Sequence, residues 1–163
     1  MKTQAMSEDS KPIKRSDQLK PLSHDHHDGL LFAWKIKQGI KKGRDLKIIS
    51  KYVNWFWENH LHQHFKKEDE LLVPLMPADD KLINRMSEEH EEIEALIHIN
   101  TNIADEANLT LIADKVNDHI RFEERLLFPH IESSLSTYQL DFILKKLMVD
   151  PPECSKWEEE FWK

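Results

Sequence analysis

Long stretches of helical periodicity alternate with short polar breaks along this chain. Apolar residues at Leu22, Leu30, Ala33, Trp34, Ile36 and Ile40 predict a first helix, with Ser23 read as its N-cap and Gly43 near its end. A second helix is expected from about Asp45 to Val73, with Ile49, Val53, Trp57, Leu61 and Leu72 apolar and Pro74 and Pro77 closing it. A third opens at Asp79 or Asp80 and runs to about Ala104, and a fourth spans about Leu109 to Phe128, before Pro129. A shorter fifth begins at the capping-box pair Ser136 and Gln139 and ends before Pro151 and Pro152. Strand-like alternation is scarce and only three glycines occur, so the expected fold is all-α. Short connections make it an antiparallel up-down-up-down four-helix bundle with a short C-terminal fifth helix. Residues 1–20 lack periodicity and are expected as a mobile arm; 21–132 form the bundle; 133–163 carry the last helix and an acidic tail. Trp157, Phe161 and Trp162 in that tail either dock on the bundle or meet a partner protein or second copy.

Composition narrows the function classes. No run approaches the roughly 18 apolar residues of a membrane helix, so no membrane partner is expected. The opening twenty residues contain no apolar run, from which no secretory signal and a cytoplasmic location are expected. Cys154 is the single cysteine, which excludes an intramolecular disulfide framework and a cysteine-rich metal site. A net charge of −7 argues against nucleic acid.

The ten histidines change the picture, because of where they fall. In the fourth helix the stripe reads Ile112, Val116, His119, Glu123, Leu126; in the second it reads Val53, Trp57, His64, Glu68, Leu72. The third reads Ile83, Met86, His90, Ile97, with Glu94 one turn after His90, and the first reads Leu22, His26, Ala33, Ile40. Each helix thus sets a histidine into an apolar face, and two add a glutamate one turn on. A single buried polar residue is usually satisfied by one hydrogen bond. Six on four stripes make a metal cluster the better explanation, since ligand bonds replace lost hydration. The spacing repeats: His64, Glu68, Asp69 and Pro74 match His119, Glu123, Glu124 and Pro129, and Ser23 precedes His26 as Ser87 precedes His90. His26 and His90 lie near helix starts and the His–Glu pairs near helix ends, so an alternating bundle brings all six to one level. Four imidazoles and two carboxylates without thiolate suit iron, manganese or zinc, and their number suits two ions.

These residues resemble the hemerythrin-like, HHE cation-binding family over about residues 20–132. The resemblance implies two non-haem iron ions with a bridging oxo or hydroxo group, held by His26, His64, Glu68, His90, His119 and Glu123, with Glu68 and Glu123 as bridges. The position that carries a further histidine in the oxygen carriers is Glu94 here, and Glu94 is a candidate seventh ligand. Glu124 stands where those carriers have aspartate, so the chain is closer to bacterial HHE proteins. His24 and His27 are alternatives to His26 if the first helix is rotated. His60 is either an extra ligand or a residue at the bundle's mouth. His62, His98 and His130 are expected outside the site, and Trp34, Trp57 and Phe122 in the core.

Two octahedral ions offer about twelve positions, of which these donors and a bridge fill about ten. An open position reached through an apolar shell predicts a diatomic ligand, O2 or NO, and excludes larger molecules. The alternatives are a di-iron enzyme, an iron donor in stress repair, iron storage, or a zinc-stabilised interaction bundle. The His-x-x-x-Glu spacing differs from the Glu-x-x-His of ferritin-like oxidases.

Overall fold

Side-chain acceptors write most helix starts. Asp45 accepts from the Lys47 N–H, Asp80 from Leu82 and Ile83, and Asp105 from Ala107, while Ser136 and Gln139 complete a reciprocal capping box. The computed structural model describes residues 14–149 and 155–163, among which no strand occurs. The helices are α1 (Lys20–Lys41), α2 (Leu46–Phe56), α3 (His62–Leu71), α4 (Lys81–Asn102), α5 (Glu106–Phe122), α6 (Phe128–Ser134) and α7 (Thr137–Leu147). A π-helical turn, Trp57–Leu61, joins α2 to α3, and a second, Glu123–Leu127, joins α5 to α6. Each junction is thus one continuous rod, and the arrangement is consistent with a four-helix bundle. α1 and α4 pack along α5, α2 packs against α4, and α7 packs on α3. No helix of the described residues is long and apolar enough to cross a membrane.

Several expectations are corrected. The first helix begins at Lys20, not Ser23, with Pro21 in its first turn, where a missing N–H leaves no bond unmade. Ser23 instead accepts from Arg15 Nε and donates to Glu124. Residues 1–13 of the expected arm lie outside the described residues, and within 14–20 Leu19 is fully buried and Arg15 nearly so. The fourth rod does not stop at Pro129. Phe128 N–H reaches back to Glu123 O, and the widened turn leaves Pro129 at the start of α6, where proline is tolerated. The same turn moves the inward face by one residue: Leu126, expected inside, is 51% exposed, and Leu127 is buried at 0%. Trp34, expected in the core, is 49% exposed, and Phe32 and Ile36 fill that face of α1. α1 ends at Lys41, near Gly43 as expected, and Gly43 turns the chain with a φ of 67°, the left-handed conformation glycine adopts freely.

The core consists of two apolar clusters with a polar layer between them. One contains Phe32, Ile49, Val53, Phe65, Ile97 and Ile112, the other Leu22, Leu72, Met86, Phe128, Ile131 and Ile143. The tail docks on the first cluster. Phe161 is buried against Gly39, and Arg44 donates to the carbonyls of Phe161 and Lys163.

Candidate metal centre

The polar layer is made of His26 on α1, His64 and Glu68 on α3, His90 on α4, His119 on α5 and Glu123 at the start of the second π turn. Helical spacing sets each pair: residues four apart share a face, so His64 and Glu68, like His119 and Glu123, project together. All six are buried, both glutamates with 0% exposure. They fall into two overlapping groups, His26, His64, Glu68 and Glu123, and Glu68, His90, His119 and Glu123. Within each group the donor atoms lie within 4.8 Å of one another. The shared members are the two glutamates, the residues whose two oxygens can each face a different ion.

The donors fit cations better than they fit each other. His64 and His90 bring Nε2 to 3.1 and 3.2 Å from Glu68 Oε1, and His119 Nε2 lies 2.9 Å from Glu123 Oε1. Even so, both Glu68 oxygens, Glu123 Oε2 and the Nε2 atoms of His90 and His119 have no aligned hydrogen-bond partner. Such orphaned atoms cost about 1–3 kcal/mol each in a dry interior. Proton affinities express the same strain. Burial pushes the Glu68 carboxyl up to about 8, helped by the charge of Glu123. Burial opposes ionisation of Glu123 too, but the His119 charge and hydrogen bonds hold it well below the usual carboxylate range. Burial disfavours a charged His119, and Glu123 together with Glu89 and Glu68 more than offsets this, lifting the imidazole to about 10.

Every one of the four imidazoles donates its Nδ1–H outward to a carboxylate. His26 pairs with Glu124 at 2.7 Å, His64 with Asp25 at 3.2 Å, His90 with Asp69 at 2.9 Å and His119 with Glu89 at 2.8 Å. That orients each ring so that Nε2 faces inward, the atom a cation would take in place of a proton. These acids carried a legible signal that sequence reasoning left without a role: one stands immediately before His26 and before His90, and one immediately after each glutamate.

The other candidates separate cleanly. His24 and His27 are exposed, which leaves His26 as the inward residue of α1. His60 is half-buried against Trp55 and Phe56 and lines a cavity of about 230 Å³. The structure leaves Glu94 outside the cluster, half-exposed and 3.9 Å from His98, while Phe65 stacks on His90 at 3.9 Å and fills the inner space. His62 is exposed and stacks on Trp57, and His130 pairs with the cap residue Asp80. The cavity reaches His26, His64, His119 and Glu123 past Phe56, Leu61, Val116 and Ile120. Its rim is polar, with Asn59, Gln63 and Lys67.

A four-helix arrangement with a buried layer of four histidines and two shared glutamates defines a helical metal-binding protein. The hemerythrin HHE cation binding domain matches residues 21–131, well over half of the chain, and the protein belongs to that family. Comparison with curated proteins and comparison with solved structures returned no match.

Proposed function

We propose that the protein binds two non-haem iron ions, joined by a bridging oxo or hydroxo group, and that it binds or reacts with O2 or NO there. The observation that carries the reading is the pair of four-donor groups with Glu68 and Glu123 in common. Four imidazoles and two carboxylates without thiolate suit iron. The ligands in this reading are His26, His64, Glu68, His90, His119 and Glu123; Glu94 is left out. Alternation of direction along the four rods belongs to the same reading, because it brings the starts of α1 and α4 level with the ends of the second and fourth rods. A single cysteine and an acidic net charge favour the cytoplasm and disfavour nucleic acid.

When bound, the ions supply a coordination position for a small ligand, and the residues determine which side is open. This cavity touches both imidazoles of the His26–His64 group and, of the other group, His119 but not His90, so access through it favours the first group. Its volume far exceeds the ~30 Å³ share of one water, so the exclusion of molecules larger than a diatomic, expected from an apolar shell, is not part of this proposal. That volume favours a second reading, an enzyme acting on a small organic molecule beside the same ions.

Protein loaded anaerobically with Fe2+ is expected to hold close to two ions per chain by elemental analysis, one for each donor group. Its absorption spectrum should change on mixing with O2 or NO, and the oxidised form should bind azide. One ion per chain would refute the dinuclear reading. Two ions with a spectrum indifferent to all three ligands would refute gas binding.

A further inference from the structure

We propose that Asp25, Asp69, Glu89 and Glu124 are positioning residues that divide the centre into a braced edge around Glu123 and a yielding edge around Glu68. The proposal rests on the two-ion reading above and adds what these acids do to it.

The four acids form a closed order around the bundle. Asp25 on α1 pairs with His64 on α3, Asp69 on α3 with His90 on α4, Glu89 on α4 with His119 on α5, and Glu124 beside Glu123 with His26 on α1. Each acid is next in sequence to a donor of its own rod but orients the imidazole of another. A shift of one rod therefore disturbs the histidine of its neighbour as well as its own.

The acids are not equivalent. Glu124 accepts from Arg15 Nη2 at 2.9 Å and from Ser23 Oγ at 3.1 Å, and Glu89 accepts from Arg85 Nε at 2.7 Å. The two arginines are themselves held over aromatic rings, Arg15 over Phe128 and Arg85 over Phe122. Asp25 and Asp69 form no ion pair with lysine or arginine among the described residues. Their side chains are 44% and 46% exposed, against 22% for Glu89 and Glu124.

This inequality sorts by bridge. The histidines on braced acids, His26 and His119, are those against Glu123, at 3.2 and 2.9 Å. The histidines on the aspartates, His64 and His90, are those against Glu68, at 3.1 and 3.2 Å. Each ion would thus hold one braced imidazole and one that swings more easily. Each yielding pair also meets a surface opening: Asp25 and His64 line one, which reaches His26, His119 and Glu123 as well, and Asp69 and His90 line the other. His64 and His90, on the less braced and more exposed aspartates, would be the first donors to release a bound cation.

The test uses the full chain loaded with Co2+, whose ligand-field spectrum reports imidazole and carboxylate donors, followed by transfer to excess chelator. Asp25→Asn is expected to speed loss of one ion of the pair by ~10–100-fold, Asp69→Asn to speed loss of the other, and the double variant to speed both. Asp69→Glu, which keeps the charge, should restore slow release, and Glu70→Gln, one residue away, should match wild type. If wild type holds two Co2+ and both asparagine variants release them at the wild-type rate with an unchanged spectrum, the proposal fails and the two-ion reading stands. If wild type holds one Co2+ or none, both fail together.

Discussion

Glu68→Leu should make the metal-free protein more stable while abolishing its shared metal site. Glu68 has no exposure, and neither of its oxygens has an aligned partner. Its carboxyl moves from an ordinary 4.5 to about 8 in the fold. A shift of that size costs about 3 kcal/mol at pH 7, because the folded state must keep a proton that the unfolded chain gives up. Leucine occupies a similar volume with no polar atom, although it leaves the Nε2 atoms of His64 and His90 facing carbon. The net gain expected is ~1–3 kcal/mol. For a chain of this length that raises the melting temperature by roughly 2–10 °C. A raised carboxyl pKa contributes stability that is complete below the unfolded value near 4.5 and is lost as pH rises towards about 8. The advantage of the variant should therefore be small at pH 4.5 and full at pH 8. Urea unfolding of chelator-treated proteins, followed by helical circular dichroism, measures both. A variant less stable than wild type at pH 8, or a gain independent of pH, would refute the reasoning. Added metal should raise the melting temperature of wild type and leave the variant unmoved.

His119→Ala and Glu123→Ala should lose iron and destabilise the metal-loaded protein by at least ~1–3 kcal/mol, whereas exposed His62→Ala should do neither; equal iron in all three by elemental analysis would mean the helix faces are misassigned. Gly39→Ala sets a Cβ 2.7 Å from Phe161 Cδ2 and 2.9 Å from Ile49 Cδ1. The gain in helix propensity of about 1 kcal/mol is smaller than the ~1.5–3 kcal/mol lost when Phe161 is expelled, so the tail should undock, seen as faster proteolysis of the C-terminus with iron content unchanged.

The histidine and glutamate positions were legible because helical spacing at four residues translates directly into a shared face, and because polar residues on an apolar stripe need an explanation. His26 is separable from its neighbours in the sequence only by comparison with His90; in the fold it is the buried one of the three. The sequence was silent where the helix departs from regular winding. Nothing in Glu123-Glu-Arg-Leu-Leu127 announces a π turn, so regular winding puts Leu126 inward and makes Pro129 a stop. Arg15 was hidden for another reason. Its partners Glu124 and Glu132 are over a hundred residues away, and a periodicity search cannot see an isolated cation folding back onto them. The outer acids were visible as a repeated spacing, but their meaning depends on which rod lies beside which, and only packing supplies that.

The closed order of acids and imidazoles repeats after two rods. Putting α4 in place of α1 and α5 in place of α3 turns the pair Asp25–His64 into Glu89–His119, and Asp69–His90 into Glu124–His26. Half of these pairs join rods of the same half of the chain and half cross between the halves. Neither half can orient all of its own histidines without the other. The pattern is therefore that of two like halves made permanent partners by the connection from Leu72 to Asp80. The cost of bringing the two halves together is small in a single chain, so the binding energy of a cation at the shared layer would go into stabilising the fold.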